Sequence, residues 1–189
     1  MDSFIYSAAR YGYLDIVKKW IKPDMNINKI AIKAAKGGHL EIISYILLEN
    51  KTTDYITIIL IASQRGHLNV IKFLIDKTPG CEGNYAWSAA KHGQKTVVDY
   101  FINEKGYTDY NRLLSGAAIG GQIEMVKKLI TEGATDIVLA LENASLSGHL
   151  DTVRFLLKQK SEFGNCLFKA EMNTRNDVVE ISNKKNIYN

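Results

Sequence analysis

Ala34-Ala35-Lys36-Gly37-Gly38-His39-Leu40-Glu41-Ile42-Ile43 is one of six near-copies of a ten-residue phrase, and their spacing decides the fold. The other copies are Ala8 to Val17, Ala62 to Ile71, Ala89 to Val98, Ala117 to Val126 and Ala144 to Val153. Their glycines are Gly12, Gly38, Gly66, Gly93, Gly121 and Gly148, in steps of 26, 28, 27, 28 and 27 residues. Self-similarity at this period predicts a solenoid, in which each repeat buries its apolar face only by stacking on its neighbours. The expected organisation is one repeat domain over residues 3–182, with six clear repeats and a degenerate seventh, followed by a polar tail over 183–189. In the seventh, Leu167 to Glu171 replaces the first helix, Thr174 takes the glycine position and Asp177 to Ile181 forms the second; its polar substitutions suit a terminal cap.

Before each glycine an apolar residue is followed three and four places on by small ones, as in Ala31 to Ala35 and Leu114 to Ala118. That spacing puts them on one face of a short helix, where alanine lets a neighbouring helix come close. The glycine ends the helix in a left-handed conformation. After it, stretches such as Leu68-Asn69-Val70-Ile71-Lys72-Phe73-Leu74-Ile75 read as an amphipathic second helix, and turn residues such as Lys77-Thr78-Pro79-Gly80 link one repeat to the next. Fold class is therefore all-α: helix, tight turn, helix, loop. Trp20, Trp87 and the column Tyr45, Phe73, Tyr100 and Phe155 fall at core spacing and are expected to pack.

The chain has 189 residues, 46% of them hydrophobic and 23% charged, as in a folded globular protein. No apolar run approaches the roughly 18 residues of a membrane span. Met1-Asp2-Ser3-Phe4 carries acid where a secretory leader carries base, and Cys81 and Cys166 lie three repeats apart, so free thiols and a cytoplasmic location are expected. The net charge of +4 comes from 19 lysines and only 5 arginines among abundant Ile, Asn and Tyr. Nucleic-acid readers concentrate arginine, so the charge argues weakly for such a partner.

His39, His67 and His149 share one column with Tyr13, Gln94 and Gln122. Zinc needs about four converging ligands, so hydrogen bonding to backbone at the turn is the better reading. Asp15, Glu41, Glu124 and Asp151 recur at the start of the second helix, where a carboxylate favours the helix dipole. Gly37-Gly38 and Gly120-Gly121 end helices rather than follow strands, unlike a phosphate-binding loop. No catalytic constellation, metal site or cofactor site emerges, and the expectation is a non-enzyme.

The phrase Ala-Ala-x-x-Gly-His-Leu-Glu-Ile-Ile resembles the core of the ankyrin repeat, and the likeness runs through about residues 3 to 182. Two departures stand out: the Thr-Pro-Leu-His opening is missing from every repeat, and the period is shorter than the usual ~33 residues. The resemblance thus implies short or absent β-hairpin fingers. The shortened, Ile/Lys/Asn/Tyr-rich repeats look like those of giant, mimivirus-like DNA viruses, with an A/T-rich protist as the other source; a viral copy would act in the host cytoplasm.

In ankyrin stacks the two residues before each turn glycine project onto the concave face. Carried over, these are Arg10 and Tyr11, Lys36 and Gly37, Gln64 and Arg65, Lys91 and His92, Ile119 and Gly120, and Leu146 and Ser147. Arg10, Tyr11, Lys36, Gln64, Arg65, Lys91 and His92 form the expected partner-binding set, with cations in repeats one to four suited to an acidic protein segment. The resemblance implies a non-catalytic protein–protein interaction module, an adaptor or host-factor-binding protein. One alternative is a structural or assembly component that self-associates through its ends, because Phe4, Tyr6, Tyr11, Tyr13 and Trp20 crowd a first repeat with nothing before it. A third reading is nucleic-acid binding.

Overall fold

The computed structural model describes residues 2–22, 24–49 and 54–159; the seventh repeat, Cys166 and the tail lie outside them. Two compact units are present, Met1–Tyr85 and Ala86–Asn189. The first holds α1 (Asp2–Tyr11), α2 (Leu14–Trp20), α3 (Ile27–Gly37), α4 (Leu40–Glu49), α5 (Tyr55–Arg65), α6 (Leu68–Leu74) and a 3-10 turn at Ile75–Lys77. Then come α7 (Glu82–Lys91), which contains the boundary, α8 (Lys95–Asn103), α9 (Tyr110–Ile119), α10 (Ile123–Thr131), α11 (Ile137–Ser147) and α12 (Leu150–Gln159). Among the described residues there is no strand, so the architecture is all-α, helix pairs joined by tight turns with no hairpin fingers.

One turn is built six times. All six column glycines have positive φ, Gly66 at 80°, a conformation in which a Cβ would be strained. The N–H one place past the glycine reaches back to the carbonyl of the first small residue, as in His67 N to Ala62 O at 2.9 Å, satisfying a helix-end acceptor. His67 then sits at φ −82° and ψ 75° while Leu68 N donates to Gly66 O at 3.0 Å, an inverse γ-turn that throws the chain straight into the second helix.

A second signal repeats at the other end. Asn26, Asp54, Asp109 and Asp136 each stand twelve residues before a turn glycine. Each accepts a hydrogen bond from the backbone N–H three places on, at Lys29, Thr57, Arg112 and Leu139, and so starts a first helix in place of the missing Thr-Pro-Leu-His. Cys81 occupies this column in repeat four, where its carbonyl takes the first intrahelical bond, from Tyr85 N at 3.4 Å.

Within the first unit α1 packs on α3 and α3 on α5; in the second α9 packs on α11, each of these five first helices also meeting its own second helix. Ala8, Ala9, Ala34, Ala35 and Ala62 are buried between them, as the small-residue pattern requires. The aromatic expectation needs correction. Tyr100 is buried, but Phe73 is 48% and Trp20 41% exposed, and Tyr45, Trp87 and Phe155 are half-buried. The position of Tyr45, Phe73 and Phe155 in the second helix lies at the rim of the seam between repeats rather than within it. Trp20 occupies a different column, that of Ile46, Leu74, Phe101, Leu129 and Leu156, all buried, yet is itself open in the first repeat.

Candidate functional site

The expected partner-facing residues lie at the carboxyl ends of the first helices. In the first unit Arg10 and Tyr11 end α1, Lys36 stands near the end of α3, and Gln64 and Arg65 end α5. Arg10, Tyr11 and Arg65 are exposed, while Lys36 and Gln64 are half-buried. None of Arg10, Lys36 and Arg65 pairs with a described carboxylate. Arg10 and Lys36 stand two places before their turn glycines and Arg65 one place before its own, so the unit gathers three cations near the same ends of successively packed helices.

The histidine column fixes the main chain at the first two. His39 Nε2–H donates to the Arg10 carbonyl at 2.9 Å, and His67 Nε2–H donates to the Lys36 carbonyl at 3.2 Å. The bond is to backbone, as the sequence suggests, but to the preceding repeat rather than to its own turn. Asn69 Nδ2 adds a bond to the Gly38 carbonyl at 3.2 Å. The second and third repeats therefore each hold the main chain from which the previous repeat's cation projects, without engaging that side chain.

In the second unit Lys91 lies over the Trp87 ring, 5.3 Å from its centroid, and His92 Nδ1–H donates to the Ser88 carbonyl at 2.8 Å. His149 Nε2–H donates to the Ile119 carbonyl at 2.9 Å, the same clamp as in the first unit. Gln122, in the histidine column, instead donates to the Gly120 carbonyl within its own turn. Sequence reasoning missed Asn111, whose Oδ1 accepts from Thr135 N and Asp136 N at 2.7 and 2.9 Å and ties the loop before α11 to α9. Nothing in the repeat pattern marks that asparagine. Missed too was Lys128, whose ammonium bridges Asp99 and Glu132, each at 2.7 Å. Burial works against that charge, but the two carboxylates outweigh it and hold the pKa above the ordinary lysine value.

Among the described residues no three His, Cys, Asp or Glu side chains gather as metal ligands, and no helix is long and apolar enough to cross a membrane. Each described histidine is committed to a main-chain carbonyl of its own.

Stacked helix pairs presenting a row of side chains define a helical repeat scaffold for binding. Residues 5–86 match the family model for ankyrin repeats, in three copies. Residues 5–86 thus carry ankyrin repeats, and the matched stretch spans the repeats around Gly12, Gly38 and Gly66. No curated protein matches the chain.

Proposed function

We propose that the protein is a non-catalytic adaptor or host-factor-binding module that captures an acidic segment of another protein. Ankyrin repeats are generally protein–protein interaction modules, which sets the class. The observation that carries the finer reading is the set Arg10, Lys36 and Arg65, three cations within two places of their turn glycines and without a described carboxylate partner, the main chain of the first two clamped by His39 and His67. Like charges so gathered repel each other, while an acidic ligand gains steering and specificity from them. Tyr11 and Gln64 flank these cations, and Lys91 and His92 continue the motif in the second unit.

The test is reversal of charge. The triple change Arg10→Glu, Lys36→Glu and Arg65→Glu should leave the helical circular dichroism intact. It should weaken binding of a Glu/Leu-rich peptide at least tenfold and flatten its salt dependence, since losing even one buried charge contact costs about 2 kcal/mol or more. Equal binding by the triple variant would sink the reading; strong, salt-steep binding of duplex DNA in its place would favour nucleic acid.

One observation favours self-association as a second reading. Phe4, Tyr11, Tyr13 and Trp20 are all exposed on the first repeat, Tyr11 at 66%. Sedimentation of the chain at rising concentration decides it: a single monomeric species throughout removes this reading.

A further inference from the structure

Along the second helices, the residue six places after one turn glycine meets the residue seven places after the next, and a cation closes the seam. In the first unit Lys18 Nζ lies 5.5 Å from the centroid of Tyr45. In the second, Lys127 Nζ lies 5.9 Å from that of Phe155, and Lys128 meets Asp99 at 2.7 Å with the cation on the other side. At the same register between the second and third repeats the pair is Ser44 and Phe73. Ser44 carries no charge, and its hydroxyl donates to the Glu41 carbonyl at 2.9 Å. Phe73 stays 48% exposed, and a cavity of about 470 Å³ opens beside it, walled by Leu47, Leu48, Leu74 and Tyr55. Leu48 is 86% exposed, the most open large apolar side chain described.

We propose that this gap is a docking site for a lysine or arginine side chain of a partner protein. The occupant takes the place that Lys18 and Lys127 fill elsewhere, its aliphatic stem against Leu47 and Leu48 and its cation over the Phe73 ring. Rings attract cations through their quadrupole, and long basic side chains bury their stems on apolar surface. Ser44 and Tyr55 line the same space, and a hydroxyl can accept from an incoming N–H group. Lys77 lines it too, with like charge, and so tunes affinity downward. The site lies mainly on the second helices, with Tyr55 at the amino end of α5, and stands apart from the cations at the carboxyl ends of the first helices; either can fail without the other.

The experiment titrates the full chain, with Phe73 ring and Leu48 methyl resonances followed by NMR, using two probes of matched stem. These are Nα-acetyl-lysine methylamide and its neutral counterpart, Nα-acetyl-norleucine methylamide. The lysine probe should shift both resonances, and norleucine should bind about two- to fivefold more weakly, the ratio expected for a cation over a partly exposed ring. Ser44→Lys should restore the seam, abolish the response of Phe73 and raise Tm by about 2 °C. Phe73→Leu, which keeps the apolar volume, should equalise the probes at Leu48. Lys77→Gln should tighten the lysine probe. No response to lysine, equal affinity for norleucine, an undiminished response in Ser44→Lys, or weaker binding in Lys77→Gln would each overturn the site.

Discussion

Gly120→Ala is expected to destabilise the second unit by about 3 kcal/mol, the upper range for an overpacked site. The conformation is not the obstacle: Gly120 has φ −83°, which alanine adopts freely. Space is. A Cβ there would overlap the Lys91 carbonyl, and it would stand within reach of the Lys91 Cα as well. Main chain cannot swing aside as a side chain can, so the end of α9 would have to draw away from α7. Chemical denaturation followed by circular dichroism should show a lower midpoint at unchanged m-value. A variant as stable as the parent would mean that these two helix ends are not in close contact.

Phe101→Ala should cost about 3–5 kcal/mol, the range for a fully buried phenylalanine. Phe101 has no exposed surface, and Tyr100 meets it edge-on with centroids 5.2 Å apart. Its column is also buried at Ile46, Leu74, Leu129 and Leu156, and among the described residues it is open at Trp20 in the first repeat. Trp20→Ala should therefore cost clearly less than Phe101→Ala despite deleting a larger ring. The two variants belong in one denaturation series, and equal losses would refute the assignment of Trp20 to an uncovered face.

Repetition made some features legible and hid others. The turn glycines, the small-residue seam and the two-helix repeat were readable because each occurs six times under one physical constraint: positive φ, close approach or amphipathic period. The Asn26, Asp54, Asp109 and Asp136 caps were present in the sequence at fixed spacing, yet the absent Thr-Pro-Leu-His drew attention away from them. Phe73 and Trp20 read as core because aromatic spacing on a helix does not tell the rim of a seam from its centre, nor an end repeat from an inner one. Asn111 and Lys128 act once each, through partners distant in sequence, and periodicity says nothing about single events. For the proposed binding residues, sequence supplied the positions and the resemblance supplied the direction. The histidine clamps on Arg10 and Lys36 join residues 29 and 31 places apart, a pairing that only the folded stack creates.

The tight turn has a consequence for how such a chain changes length. From each capping Asn or Asp to its glycine the count is always twelve, while the glycine-to-glycine steps range from 26 to 28. All of that slack falls in the connectors after the second helices, such as residues 104–109 and 132–136. The rigid cassette thus runs from cap to second helix and, where a histidine follows the glycine, carries its own clamp on the repeat before it. A genetic crossover placed in any connector deletes or inserts one whole cassette without breaking a clamp. Arrays of different reach can then arise from one parent by recombination alone, with loop length drifting freely at the joints.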